Sequence, residues 1–338
     1  MIGSVDVSSS GEAPLVSVVV LTFNHAIYLA RAIESVLSQD CDFRFEVIVS
    51  DDMSTDDTRR ILKEYCERFV GIVQDVSPPQ HLGISENFVH AMSYVRGKYV
   101  SILDGDDAFV SADKLRRQLN LLECHSDASF SFHNALISRE DTGGVRLKRS
   151  SECGQDPVFG DFLRGNPIVT STVMFRRECL PELEWAKGIR LLDRAMWLIL
   201  ASRGRCLFLP QCYSLYRQHA GGAYTSATGL SKLDWRMSSF AAVRKFVPAR
   251  ERAALDQRAY ETAVEALLDS LLRNLGRVDA ERVVAVSRTS RALSSSAWQR
   301  SRVWMGAVAR VLRRGFFSAT RAIGARRSAL ASGRSLVV

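Results

Sequence analysis

Short apolar runs alternate with amphipathic stretches through the first hundred residues. Leu15-Val16-Ser17-Val18-Val19-Val20-Leu21 reads as a strand buried on both faces, ending at Thr22-Phe23-Asn24-His25. Ala26, Ala30, Ile33, Val36 and Leu37 then recur at helical spacing, which predicts an amphipathic helix closing near Ser38. Residues 45–49 predict a second strand, closed by Ser50-Asp51-Asp52-Met53-Ser54. Ser54 or Thr55 is placed to cap a following helix whose inner face is Ile61, Leu62, Tyr65 and Phe69, and Asp56 and Asp57 suit its positive end. A short strand over 71–76 and a helix over 85–95, with Gly97 as its C-cap, lead to the apolar run 99–103.

Strand, helix, strand, helix, strand, helix, strand is the order of a parallel sheet with right-handed crossovers. In such a sheet Asp51-Asp52 and Asp104-Gly105-Asp106-Asp107 both stand at carboxyl ends of strands, on the one rim where open α/β sheets take ligands. Three acids around one glycine repel one another, and a divalent cation relieves that repulsion. Magnesium and manganese favour oxygen ligands and are commonly held by one or two carboxylates plus substrate phosphates.

Farther on, residues 114–122 predict a helix and 128–137 a strand, with a polar, mobile connection over 139–157. Residues 168–175 are strand-like, 189–201 helical with Asp193 near the start, and 206–209 and 213–216 two short strands. His219-Ala220-Gly221-Gly222 is flexible, and from about residue 230 the spacing is helical. Residues 1–13, small and polar, are expected to be disordered.

Composition alters this picture mainly at the end of the chain. The 338 residues carry a net charge of +8, yet no Asp or Glu follows Glu281 while 12 arginines do. Without them 33 basic residues face 37 acidic ones, so the first 281 residues carry −4 and give no sign of nucleic-acid binding. Over 298–327, Trp298, Trp304, Met305, Val308, Val311, Leu312, Phe316 and Phe317 interleave with arginine. That pattern reads as a basic amphipathic helix suited either to peripheral contact with the inner membrane surface or to packing on the domain. The seven scattered cysteines contain no C-x-x-C and argue for a reducing compartment. Neither a signal peptide nor a membrane-spanning run is apparent, so a cytoplasmic location is expected.

At this point the chain resembles the family 2 glycosyltransferases. The resemblance rests on VSVVVLTFNHAIYLARAIESVLSQD, FEVIVSDDMSTDDT, GISENFVHAMSYVRGKYVSILDGDD and RLLDRAMWLIL, four motifs in family order across residues 15–220. It implies a GT-A fold: α/β, with a Rossmann-like, mixed, mostly parallel sheet flanked by helices. The glycosyltransferase domain is expected over 14–228, followed by a helical C-terminal region over 229–338. It further implies that Thr22, Phe23 and Asn24 hold base and ribose, and that Asp52, supported by Asp51, accepts a hydrogen bond from the base. The turn Asp104-Gly105-Asp106-Asp107 is implied to hold ribose and Mn²⁺ or Mg²⁺, with Asp106 the metal ligand, Asp104 or Asp107 assisting, and His219 a further candidate there. Arg217 is implied near the phosphates. Asp193 matches the catalytic base, standing alone between Leu192 and Arg194 where the family often has an acidic pair. The implied reaction moves a sugar from a UDP- or dTDP-sugar to a hydroxyl of a glycan or lipid-linked glycan, with inversion, in bacterial surface polysaccharide synthesis.

Other readings fit less well. A non-catalytic nucleotide-sugar-binding or scaffold subunit would not need Asp193. A dehalogenase-like phosphatase would want Thr or Val where Ala108 stands, and an EF-hand would want Glu where Leu115 stands. His133 and Asn134 are weaker candidates for acceptor contacts, with core packing the more natural role.

Overall fold

The computed structural model describes residues 13–150, 156–221 and 229–273. The chain divides into two compact units, residues 1–251 and 252–338. In the first unit β1 (Val16–Thr22), α1 (Ala26–Leu37), β2 (Phe45–Asp51), α2 (Thr58–Arg68), β3 (Val73–Asp75), α3 (Ile84–Met92) and β4 (Tyr99–Asp104) alternate as expected. These four strands are parallel, in the order β3-β2-β1-β4. Val16, Val18, Val19 and Val20 are fully buried, which is why β1 is an unbroken apolar run. Leu29, Ile33 and Val36 of α1 pack with Val18, Val20, Val47, Val49 and Leu103 in one core. The register sets Thr22 opposite Asp51 and Leu21 opposite Asp104, so both acidic clusters do end on one rim.

The second half of the sheet is mixed. It comprises β5 (Ala108–Phe109), α4 (Lys114–Glu123), β6 (Ala128–Arg139), β7 (Gly144–Lys148), α5 (Phe159–Arg164), β8 (Met174–Arg176), α6 (Leu192–Ala201) and β9 (Arg205–Gln218). β8 lies antiparallel between β4 and β6, β9 runs parallel to β6, and β5 and β7 pair antiparallel with β9 and β6. A helix α7 (Gly229–Val243) follows, its Ser239 hydroxyl donating to the Leu191 carbonyl at 3.1 Å. The first unit therefore extends beyond residue 228. In the second unit the described residues, 252–273, belong to α8 (Ala249–Arg273). Among the described residues no helix is long and apolar enough to cross a membrane.

Several local expectations are corrected. Gly97 is not a helix cap, because α3 ends at Met92 with Ser93 as its C-cap. Gly97 instead lies against β1, where an added Cβ would meet the Ser17 nitrogen at 2.6 Å, and its N–H donates to the Ser17 hydroxyl at 2.8 Å. Neither Ser54 nor Thr55 caps α2, which starts at Thr58 after Asp57; Asp56 accepts the Thr58 N–H at 3.0 Å instead. The connection over 139–157 contains a strand, β7. The two short strands over 206–216 are one strand, β9, bulged opposite His133 and Asn134. The strand-like segment 168–175 is a turn of 3₁₀ helix (Thr170–Thr172) leading into short β8, and the helix expected from 189 begins at Leu192. The N-terminal segment 1–12 and the basic amphipathic stretch 298–327 lie outside the described residues.

Candidate active site

The rim is made by two interlocked loops. Asn24 takes a positive φ of 55°, a conformation its short amide tolerates. Its Oδ1 accepts the Thr55 N–H at 2.8 Å, and its own N–H donates to the Ser54 hydroxyl at 2.7 Å. Ser54 in turn donates through backbone and hydroxyl to the buried Asp51 carboxylate. The His25 N–H donates to Thr58 Oγ1 at 2.9 Å and the Ala26 N–H to Asp56 Oδ2 at 3.0 Å. The first N–H groups of α1 are thus satisfied from the β2–α2 loop, not by a local cap. Asp52, buried beside this loop, accepts the Leu82 and Gly83 N–H groups at 2.7 and 2.8 Å, one on each oxygen. Half-exposed Phe23 stands 5.1 Å from the His81 ring.

The acidic turn after β4 closes under this rim. A Cβ on Gly105 would come within 2.6 Å of Thr22 Oγ1 and 3.0 Å of His25 Nδ1, so only glycine fits there. Asp106 Oδ2 pairs with His219 Nε2 at 2.9 Å and lies 3.9 Å from His25 Nε2. Burial works against the charge on Asp106, but the His219 hydrogen bond and the charges of both histidines hold its carboxyl below the usual range. His219 is raised by that same hydrogen bond, whereas burial lowers His25. One donor atom from each of His25, Asp106 and His219 lies within 4.8 Å of the other two. Two imidazoles and a carboxylate so close fit a divalent transition-metal ion.

Asp107 faces the other way. It is fully buried, its Oδ1 accepting the Arg217 N–H at 3.0 Å, and burial followed by repulsion from Asp106 and Asp104 raises its carboxyl far above normal. Arg217 donates to the Asp106 carbonyl and lies 5.3 Å over the Tyr28 ring. Asp104 is pushed up to about 7 by burial, with the charges of Asp106 and Asp193 adding to it.

The helix α6 carries Asp193 in its first turn. Its Oδ1 accepts the Arg194 N–H at 2.7 Å and its Oδ2 the Asn166 amide. Burial raises this carboxyl, and those two donors oppose the rise. A cleft of about 310 Å³ is lined among others by Thr22, Phe23, Asp52, Asp104, Asp106, Asp193 and Arg217.

Seven of the residues singled out in the sequence therefore share one cleft, while Asn24 and Asp51 shape its rim from behind, and Asp107 and His219 flank the acidic turn. His133 is buried in the core, its Nδ1 2.7 Å from the Asn134 carbonyl. Residue-level reading missed His25, Asn166, Arg190 and Tyr216. Of these only His25 carried a signal, standing beside Asn24 at the end of an apolar strand.

Comparison with known proteins bears on this cleft. Residues 17–183 match the model of Glycosyl transferase family 2. TuaG of Bacillus subtilis, named as a glycosyltransferase of teichuronic acid biosynthesis, is 31% identical over 205 residues, 60% of this chain and 79% of TuaG. An uncharacterized Mycobacterium tuberculosis protein is 28% identical over 211 residues; the alignment covers 62% of this chain and 61% of that relative's length. Among solved structures, S. aureus TarS 1–349 in complex with UDP-GlcNAc aligns with a TM-score of 0.52 at 17% identity, over 82% of this chain and 91% of that one. The mannosyltransferase PcManGT of Pyrobaculum calidifontis, in complex with GDP-Man and Mn²⁺, aligns at 0.53 and 18% identity, over 89% of this chain and 88% of that one. At such identities the likeness shows a shared fold, the GT-A architecture.

Proposed function

Because the chain belongs to glycosyl transferase family 2, we propose that it moves a sugar from a UDP- or dTDP-sugar to a hydroxyl of a glycan or lipid-linked glycan. The observation that carries this reading is the single cleft lined by Asp104, Asp106 and Asp193 together. TuaG is named for teichuronic acid biosynthesis, which supports a surface polysaccharide as the setting.

The base of the donor lies between Phe23 and Asp52. Asp52 is acceptor-only; its Oδ2 is shared by the Gly83 N–H and His81 Nδ1 at 3.0 Å, while its Oδ1 keeps a lone pair beside the Leu82 N–H, enough to take a pyrimidine ring N–H. Thr22 and Asp104 face the ribose, and Arg217 the diphosphate. Asp106, with the neighbouring imidazoles, would hold Mn²⁺ or Mg²⁺. When bound, such an ion offsets the charge that builds on the departing nucleoside diphosphate. Asp193 takes the proton from the acceptor hydroxyl as that oxygen attacks the anomeric carbon and the bond to the diphosphate breaks. One displacement inverts the centre, so an α-linked donor gives a β-linked product. The Asn166 and Arg194 donors aim the Asp193 carboxylate and favour its charged form.

The test is Asp193→Asn. Turnover is expected to fall by ~10²–10⁴ while donor affinity stays within twofold, since only the base is lost. Unchanged turnover would remove Asp193 from this role.

A further inference from the structure

We infer that His25 is a third protein ligand of the divalent cation, so that the protein holds a transition-metal ion before any nucleotide arrives. The inference rests on the metal-assisted reading above and goes beyond it in ligand set, order of binding and choice of metal.

The first argument is the fit of His25 to its place. Its side chain is 18% exposed and lines the cleft, its buried Nδ1 has no hydrogen-bond partner, and its Nε2 lies 3.9 Å from Asp106 Oδ2. A buried ring nitrogen without a partner costs stability, so the position calls for a compensating role. Metal ligation through Nε2, the nitrogen nearest Asp106, gives the ring that role. Its position is not accidental either. The His25 carbonyl accepts the Tyr28 and Leu29 N–H groups at 2.9 Å each, which ties the residue to the first turn of α1. Across the cleft wall, the glycine in the acidic turn leaves the space that the ring occupies, since a Cβ there would stand 3.0 Å from Nδ1.

The second argument is the spacing of the donors. Around an ion with bonds of ~2.1 Å, neighbouring ligand atoms at right angles are about 3.0 Å apart and opposite ones about 4.2 Å. The His219–Asp106 and His25–Asp106 separations of 2.9 and 3.9 Å, and the 4.8 Å bound on the whole group, need only small side-chain rotations to match. Three protein donors leave open positions for phosphate oxygens and water.

Consequences follow for affinity and selectivity. A site of one or two carboxylates depends on the substrate's phosphates to complete the shell of Mg²⁺. Two imidazoles and one carboxylate do not, and nitrogen donors favour Mn²⁺, Co²⁺ and Zn²⁺ over Mg²⁺. The protein should therefore bind Mn²⁺ without nucleotide and bind Mg²⁺ at least tenfold more weakly.

The experiment is an electron paramagnetic resonance titration of Mn²⁺ into the full chain with no nucleotide, for wild type, His25→Gln and Asp106→Asn. Pulsed measurements on the wild type count the nitrogens coupled to the ion, a readout that needs no variant to fold. The expected result is one Mn²⁺ with two coupled imidazoles. His25→Gln should weaken binding tenfold or more and leave one coupled nitrogen, with its thermal unfolding in chelator close to wild type. A single coupled nitrogen in wild type, or wild-type affinity in His25→Gln, would overturn the inference. So would Mn²⁺ binding that appears only with UDP, and in each of these cases the metal-assisted reading survives. No Mn²⁺ bound even with UDP would overturn both.

Discussion

Burial lifts the Asp193 carboxyl above its ordinary range, against the pull of the Arg194 and Asn166 donors. A raised carboxyl must lose its proton before it can act as a base, so kcat/KM should climb with pH through an apparent pKa above 3.8 and then level off. Asn166→Ala removes a donor to the charged form and should move that limb to higher pH. A limb that stays put in this variant would separate Asn166 from the base. Lys114 offers a second residue-scale test, on stability. It is fully buried, donates to the Ser101 hydroxyl, lies 4.1 Å from the Phe109 ring centre, and burial alone drives its amine well below 10.5. The folded state binds this proton more weakly than the unfolded state, so its contribution to stability is present above 10.5 and shrinks as pH falls toward the folded value. Lys114→Met should therefore raise the Tm at pH 7 and flatten the rise in Tm between pH 7 and 10. A parallel, unshifted curve would contradict this account.

Between elements, the cleft depends on hydrogen bonds that cross from one strand-end loop to the other. Asp56→Ala removes both the Ala26 and the Thr58 N–H partners. Loss of a cap of this kind costs ~1 kcal/mol, so a Tm lower by a few degrees is expected, together with weaker UDP binding. Equal UDP affinity would mean that the rim does not need this tie. The main strands of the first hundred residues were legible because burial on both faces makes them unbroken apolar runs, and the helices because one buried face imposes a period of 3.6. β7 was not legible because four of its five residues are exposed, an edge strand with no face to pattern. β9 read as two pieces because Pro210-Gln211-Cys212 interrupts its apolar run at the bulge. Gly97 misled because its role is fixed by Ser17, a neighbour that no local period reveals. The acids of the site were legible as strand ends. His25 was not assigned a role, since what singles it out is its distance from residues 106 and 219.

On the scale of the whole molecule, every residue lining the proposed cleft falls in the first compact unit. The positive charge, by contrast, is concentrated after Glu281. A stretch with 12 arginines and no acid is expected to bring the full chain down with anionic vesicles and to release it at high salt. A chain ending at residue 281 should stay in the supernatant, and equal sedimentation of both would contradict a role for the tail. The central claim concerns the cleft, and the most direct measurement is turnover of a panel of nucleotide sugars, with Mn²⁺ and with chelator, on wild type and Asp106→Ala. The account predicts release of UDP or dTDP from one donor, dependent on metal and lost in the variant. Nucleotide-sugar binding with no turnover of any donor, even with cell-extract glycans supplied as acceptors, would contradict it.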